Sequence, residues 1–187
     1  MKIYTKRGDT GETDLFGAGR VSKDDLRVET YGTVDECNAA LGMARSILVA
    51  DKICSEIDAI LMRIQNELFC LGSELAAPGM GDKLTRITHD EITQLEHEID
   101  RAQNDLTPLK HFILPMGVPA SATLHFARTV ARRAERLLVQ LHHRDTLRLE
   151  LIEYMNRLSD HLFVMARWCN HRLQMSDTIW LGREKQK

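Results

Sequence analysis

The spacing of apolar residues predicts that most of this chain is helical. Residues three and four apart share one face of an α-helix, and apolar residues recur at that spacing in five segments joined by short connections. The predicted helices cover residues 33–49, 52–76, 88–104, 120–143 and 146–174. Because such helices bury their apolar faces against one another, the pattern predicts an all-α, up-and-down five-helix bundle.

Short polar sequences predict where the helices begin. Thr33–Glu36 and Thr88–Glu91 both follow the T-x-x-E capping-box pattern, and either Asp145 or Thr146 is expected to cap the last helix. Asp35 then falls in the first turn of the first helix. It interacts there either with the helix dipole or with an arginine from elsewhere in the fold.

The two ends of the chain lack helical periodicity. Residues 1–32 start with an alternating stretch, Lys2–Thr5, that could form a strand, and continue with glycines among polar residues. Such a segment is expected to be flexible and able to close on a ligand. The predicted organisation is therefore an N-terminal segment (1–32) of the same domain, a helical bundle (33–174) and a loose C-terminal tail (175–187).

The fourth predicted helix carries a row of cations opposite its apolar stripe. The stripe consists of Leu124, Ala127, Ala131, Ala134, Leu138 and Leu141. His125, Arg128, Arg132 and Arg136 fall together in an arc of roughly 80° on the other side. The row is either a solvated basic face or a clamp for a polyphosphate, whose oxygens guanidinium groups bind in pairs.

Three further segments contain residues suited to a ligand. In the N-terminal segment, glycines lie beside Lys6, Arg7 and threonine hydroxyls, which is typical either of a flexible tail or of a phosphate-binding nest. The proline-bounded loop 105–119 contains the apolar run Phe112–Leu114, which either covers the core or forms a wall facing a ligand. Asn156 on the last helix shares an edge with Asp160 and Arg167, as plain surface or as contacts for a base, a ribose or a metal-bound phosphate.

Composition excludes some classes of function. A chain of 187 residues with net charge −2 and 5% aromatic residues is a poor candidate for nucleic-acid binding. No apolar run approaches the ~20 residues of a membrane span, and no signal peptide is apparent, so a cytoplasmic location without membrane association is expected. The four cysteines are expected to be buried thiols. No resident metal site is expected, because no Glu-x-x-His motif or pair of histidines four apart occurs.

Six motifs, in this order, resemble those of the PduO-type ATP:cob(I)alamin adenosyltransferases. They are TKRGDTGET at 5–13, Arg20 with Lys23, YGTVDE at 31–36, FILPMG at 112–117, ARTVARRAER at 127–136 and YMNRLSDHLF at 154–163. No single motif is strong, but the ordered set is highly specific and extends from about residue 3 to 170. The resemblance implies a homotrimer that binds ATP and a corrinoid between neighbouring subunits.

The resemblance also implies roles for particular residues. The ATP-binding residues would be Thr5, Lys6, Arg7, Gly8, Thr13, Asp14 and Lys23 in the segment that folds over the triphosphate, and Arg132, Arg133, Ala134, Glu135, Arg136 and Asn156 on the last two helices. Asp35 and Arg128 would pair across adjacent subunits near the corrinoid. Phe112 would face the lower side of the cobalt. Arg132, Phe112, Arg128 and Asp35 are the implied catalytic residues.

The implied reaction transfers the 5′-deoxyadenosyl group of ATP to Co(I) and releases triphosphate. Arginines, Lys6, Lys23, Mg²⁺ and backbone amides would stabilise the leaving charge. Phe112 would displace the lower axial ligand, leaving a four-coordinate Co(II) that is easier to reduce. A corrinoid reductase and an adenosylcobalamin-dependent enzyme are the implied partner proteins.

Met116 departs from the family pattern. It occupies the position of a second glycine in the usual FILPGG loop, so the loop must differ locally if that glycine needs positive φ. The alternative to an enzyme is a non-catalytic protein that binds ATP or adenosylcobalamin for regulation or delivery.

Overall fold

The computed structural model describes residues 2–49, 54–80 and 83–182. Across these ranges the chain forms five helices, which confirms the predicted all-α class, and one β-hairpin. The elements are β1 Glu12–Leu15, β2 Gly19–Ser22, α1 Leu26–Leu48, α2 Ser55–Ala76, α3 His89–Asp105, α4 Pro119–Asp145 and α5 Leu149–Arg172. Lys52 and Ile53, in the predicted second helix, lie outside the described residues. No helix in the described ranges is long and apolar enough to span a membrane.

The helices pack around one continuous apolar core. α1 packs against α2 and α4, and α5 packs against α4 and α3. The six predicted stripe residues of α4 are all fully buried, and so are the predicted apolar residues of α5, which are Leu151, Tyr154, Met155, Leu158, Leu162, Met165 and Cys169. Cys37, Cys54 and Cys169 are buried as expected, while Cys70 is only partly buried, and no disulfide joins any of the four.

The predicted start of the first helix is wrong. α1 begins at Leu26, where the Asp25 side chain accepts a 2.7 Å hydrogen bond from the Arg27 backbone N–H. Thr33 is buried inside the helix, and its hydroxyl donates to the Glu29 carbonyl instead of forming a cap. Asp35 is consequently well inside α1, away from the first turn, where the helix dipole acts.

Long-range hydrogen bonds and ion pairs also hold the start of α1 in place. Arg27 is buried, and its guanidinium donates to the Leu75 carbonyl (3.0 Å) and to Asp145 (2.8 Å). Arg144 adds two hydrogen bonds to Asp25. The start of α1 is therefore held to the end of α4, and the two helices run antiparallel.

The other two cap predictions had opposite outcomes. The Thr88–Glu91 capping box is confirmed, with Glu91 accepting from the Thr88 backbone at 2.8 Å. The predicted cap of the last helix is wrong, since Thr146 is the left-handed C-cap of α4 (φ 43°) and Arg148 precedes α5 without a side-chain cap. Arg148 instead donates to Glu74 and to the Ile87 carbonyl.

The N-terminal segment contains a hairpin that the pattern did not predict. β1 and β2 are antiparallel, with Leu15 opposite Gly19, and the Phe16 N–H at the turn donates to the Ala76 carbonyl at the end of α2 (3.0 Å). The expected strand at Lys2–Thr5 is not formed. Two of the glycines in this segment, Gly17 and Gly19, thus serve the hairpin turn, with φ of 79° and 84°.

The described part of the predicted loose tail is docked, which corrects that prediction. Ile179 pairs with Ile113, the Leu114 N–H donates to the Thr178 carbonyl (2.8 Å), and the Trp180 N–H donates to the Phe112 carbonyl (2.8 Å). We refer to residues 175–182 as the C-terminal strap. Residues 183–187 of the predicted tail lie outside the described residues.

Candidate functional site

The cation row on α4 divides into paired and unpaired arginines. Arg133 forms an ion pair with Glu36 of α1, and Glu135 accepts a 2.9 Å hydrogen bond from Asn156 of α5. Arg132 and Arg136 are exposed and pair with no acid among the described residues. Both guanidinium groups are therefore available to an anionic ligand.

Arg128 and His125 differ from the rest of the row because they are turned inward. Arg128 is half-buried, and its Nε has no hydrogen-bond partner in the described part of the chain. Burial and the neighbouring Arg132 charge lower the Arg128 pKa. His125 was expected in the exposed arc but is only 2% exposed, so that prediction is wrong.

Phe112 lies at the mouth of a cavity of about 860 Å³. The cavity is lined by the loop at 109–115, by His125 and Arg128 of α4, by Phe163 of α5 and by residues 180–182 of the strap. The Phe112 side chain is 80% exposed. Of the two interpretations of this apolar loop, the structure favours a wall facing a ligand over a cover for the core.

Asn170, near the end of α5, holds the end of the loop at 106–118, which contains Phe112 and which we call the Phe112 loop. Its Oδ1 accepts from the Val118 N–H (3.0 Å) and its Nδ2 donates to the Met116 carbonyl (3.2 Å). Gly117 has φ 148°, and a Cβ there would collide with the Asn170 amide. Met116 is not among the described residues with positive φ, so methionine fits this position without backbone strain.

Three residues that line this cavity were not assigned to it by any sequence pattern. Trp180 packs edge-to-face on Phe112 with ring centroids 6.3 Å apart, and Phe163 packs edge-to-face on His125 at 5.9 Å. No motif or periodicity marked Trp180, because its partner is far away in the sequence. Phe163 ends a quoted motif but had no assigned role, and His125 was named only as a member of the cation row.

The predicted ATP-closing residues gather around the hairpin. Arg7 forms an ion pair with Asp14 at 3.0 Å, and Thr13 lies on β1 opposite Val21. The Lys23 side chain lies against Gly8, where a Cβ would come within 2.9 Å of Nζ. The Thr5 hydroxyl accepts from the Arg7 N–H. The hairpin thus holds several cations and hydroxyls on one short, exposed segment.

The structure does not bring all predicted site residues together in one chain. Among the described residues, no hydrogen bond or ion pair links the predicted ATP-closing residues between Thr5 and Lys23 to Arg132, Arg136 or Asn156. Asp35 is exposed, has no ion pair within the described ranges, and lines a separate cavity of about 490 Å³ beside α2. Asp35 and Arg128 therefore belong to different surfaces of the molecule.

Arg167 was expected on one edge with Asn156 and Asp160, and this is wrong. It is 6% exposed and donates to Asp177 of the strap (2.7 Å) and to the Thr107 carbonyl (2.8 Å). Asn156 and Asp160 remain exposed. Arg167 therefore anchors the strap.

Known proteins resemble this chain over nearly its whole length. The model of the family described as cobalamin adenosyltransferase matches residues 3–169. The corrinoid adenosyltransferase of Bacillus subtilis (strain 168) is 42% identical over 177 residues, covering 95% of this chain and 91% of that protein. That of Citrobacter freundii is 46% identical over 168 residues, covering 89% and 93%.

Solved structures show the same likeness in three dimensions. A variant PduO-type ATP:corrinoid adenosyltransferase from Lactobacillus reuteri, complexed with cobalamin and ATP, superposes with a TM-score of 0.89 at 35% identity. The match covers 97% of this chain and 100% of that chain. Another variant of that protein, complexed with ATP, gives a TM-score of 0.88 at 35% identity, with 95% and 99% coverage.

Proposed function

Because the chain belongs to the cobalamin adenosyltransferase family, we propose that it performs ATP:corrinoid adenosyl transfer at sites formed between subunits of a homotrimer. The electron pair of Co(I) attacks C5′ of ATP, the Co–C5′ bond forms, the C5′–O bond breaks and triphosphate leaves. Since Co(I) is itself the nucleophile, the protein has to align the substrates and stabilise the leaving charge.

Within one chain the two halves of the proposed site are separate, and this observation is the main support for a site shared between subunits. Asp35 lines a cavity beside α2 and Arg128 lines the Phe112 cavity, and neither forms an ion pair with any residue in the described part of the chain. A half-buried guanidinium nitrogen without a partner is costly. A neighbouring subunit that presents Asp35 to Arg128 would satisfy both groups.

The ATP half of the site would combine α4 and α5 of one subunit with the hairpin of another. Exposed Arg132 and Arg136 offer planar donors to phosphate oxygens. Arg133, Ala134, Glu135 and Asn156 would position the nucleotide beside them. Thr5, Lys6, Arg7, Gly8, Thr13, Asp14 and Lys23 would close over the triphosphate.

Mg²⁺ would enter with ATP. In the described ranges, no group of three or more His, Cys, Asp or Glu side chains is arranged to hold a metal ion. Mg²⁺ commonly binds through substrate phosphates and one or two carboxylates, and Asp14 near the predicted triphosphate position suits that mode. The ion would neutralise part of the leaving charge.

Phe112 would act on the cobalt before the transfer. An exposed aromatic ring at the mouth of an 860 Å³ cavity can occupy the lower axial position without supplying a ligand atom. Co(II) without that ligand is easier to reduce. We further propose a cytoplasmic location, a corrinoid reductase as electron donor and an adenosylcobalamin-dependent enzyme as recipient of the product.

An anaerobic assay tests the reaction. Purified protein, MgATP and chemically reduced cob(I)alamin should lose the Co(I) absorbance and give a light-sensitive Co–C product with one triphosphate per cobalt. A reaction without protein is the control. Tight binding of both substrates without product would instead support the non-catalytic regulator or delivery protein.

Subunit mixing tests the shared site. Asp35→Asn and Arg128→Ala should each lower activity, but co-expressed together they should form mixed trimers in which some interfaces have both native residues. Activity should then recover to a sizeable fraction of the wild-type value. If each site belonged to a single subunit, the mixture would stay as inactive as its components. Size-exclusion chromatography of each variant checks that the assembly is intact.

A further inference from the structure

His125 is buried, yet it has no described hydrogen-bond partner. The side chain is 2% exposed, and neither Nδ1 nor Nε2 is bonded to any residue in the described part of the chain. Buried polar groups in folded proteins are almost always hydrogen-bonded. Two unsatisfied nitrogens on one ring therefore indicate a group that is absent from the isolated chain.

The His125 ring belongs to the wall of the Phe112 cavity. Phe163 packs on the ring edge-to-face at 61° and fixes its plane, but it supplies no hydrogen bond to the nitrogens. Arg128, one turn further along α4, contributes a third unsatisfied nitrogen, Nε, to the same wall. Unused hydrogen-bonding capacity is thus concentrated where a ligand of this cavity would lie.

The protonation state of His125 narrows the chemistry of that ligand. Burial and the Arg128 charge lower the pKa of His125 to about 4, and Asp177 opposes this only in part. The ring is therefore neutral near pH 7, with one N–H donor and one acceptor. A primary carboxamide also offers donors and an acceptor, whereas a carboxylate can only accept.

We infer that His125 hydrogen-bonds a primary carboxamide on the rim of the corrinoid ring and so selects amidated corrinoids. The inference rests on the proposed function, which places the corrinoid in the Phe112 cavity. Corrinoids such as cobalamin carry acetamide and propionamide side chains around the ring that holds the cobalt. A ring whose cobalt lies over Phe112 would bring such side chains to the cavity wall.

A substitution that keeps an aromatic ring at position 125 tests the contribution of the two ring nitrogens alone. His125→Phe preserves the contact with Phe163 but removes donor and acceptor. The KM for cob(I)alamin should rise about tenfold, as expected for an unpaired buried amide. The KM for ATP, the melting temperature and the oligomeric state should stay at wild-type values. His125→Asn, which retains a donor and an acceptor, should recover part of the loss, and His143→Phe at an exposed position of α4 is the matched control.

Two results would overturn the assignment. An unchanged corrinoid KM in His125→Phe would make the ring a packing element only. Loss of the oligomer in His125→Phe, measured by size-exclusion chromatography, would mean that a neighbouring subunit and not the corrinoid supplies the partner.

A measurement on the wild-type protein keeps the test valid if the variant does not fold. A corrinoid whose side chains are methyl esters keeps neutral carbonyls but lacks N–H donors, so its KM should be about tenfold higher than that of the amide corrinoid. Equal values would overturn the inference. Wild-type protein that turns over neither corrinoid would instead count against the proposed function itself.

Discussion

At the scale of single residues, neighbours on one helical face differ in what surrounds them. Arg128, Arg132 and His125 share an arc of α4, but only Arg132 is exposed. The helical period places residues around an axis and does not say how closely other segments cover each one. The sequence therefore predicted that these residues share an arc, but it could not predict that His125 is buried against Phe163.

Arg132 is expected to act mainly on the charge that develops as triphosphate leaves. Arg132→Ala should lower kcat at least about tenfold, because removing one donor to developing charge typically costs more than that. Arg132→Lys should recover only part of it, since an ammonium group lacks the planar fork. Steady-state kinetics with pre-reduced cob(I)alamin measures both variants.

Arg101→Ala is a suitable control for Arg132. It removes an exposed guanidinium that pairs with Glu56 on the other side of the bundle. Its kcat should match the wild-type value. Wild-type kcat in Arg132→Ala would remove Arg132 from the mechanism.

At the scale of elements, the predictions were good where local sequence decides and poor where distant partners decide. α2, α3 and α4 followed their apolar periodicity, and Thr88 capped α3 locally. α1 starts at the local cap Asp25, which the pattern did not indicate, and its first turn is also held by the ion pair of Arg27 with Asp145, 118 residues away. The strap has no periodicity of its own, because its hydrogen bonds go to the Phe112 loop.

Trp180 is expected to keep Phe112 in position for the Co(II) step. Trp180→Ala removes an edge-to-face contact worth about 0.5–1.5 kcal/mol, so the yield of four-coordinate Co(II) should fall by a few-fold. The rate with pre-reduced Co(I) should change less than about twofold. Electron paramagnetic resonance of bound Co(II)alamin with MgATP measures the first quantity.

Trp180→Phe retains an aromatic ring and should behave almost as the wild type. An equal loss in the Co(II) and Co(I) assays for Trp180→Ala would show that the strap serves general binding. No loss in either assay would show that Phe112 is held by Asn170 and the loop alone.

At the scale of the whole molecule, a buried polar network joins three helices. Arg63 of α2 forms ion pairs with Glu67 and with Glu98 of α3, and Glu98 also bonds His161 of α5 at 2.8 Å. Tyr154 donates to Glu67 at 2.7 Å. Apolar periodicity placed these helices in a bundle but could not identify this network, because its members come from three separate segments.

The network makes the stability of the bundle sensitive to acid. Burial lowers the pKa of His161, although its hydrogen bond to Glu98 opposes the shift. Burial alone would raise the pKa of Glu98, but His161 and Arg63 bring it below its ordinary value. Both groups therefore bind protons more readily in the unfolded chain.

The sign of the pH dependence follows from these shifts. The contribution of His161 is complete above its unfolded pKa of about 6.5 and is lost as the pH falls, and that of Glu98 is lost below about 4.5. The melting temperature should therefore drop between pH 7 and pH 5, and more steeply below that. Circular dichroism at several pH values gives the slope.

His161→Gln separates this effect from general acid denaturation. It should reduce the slope between pH 7 and pH 5, even if it lowers the melting temperature at every pH, because one of two buried imidazoles that take up a proton on unfolding is gone, His125 being the other. His97→Gln, at an exposed position of α3, should keep the wild-type slope. A wild-type slope in His161→Gln would mean that the buried imidazole does not couple protons to folding, and that the network stabilises the bundle only through Arg63 and the two glutamates.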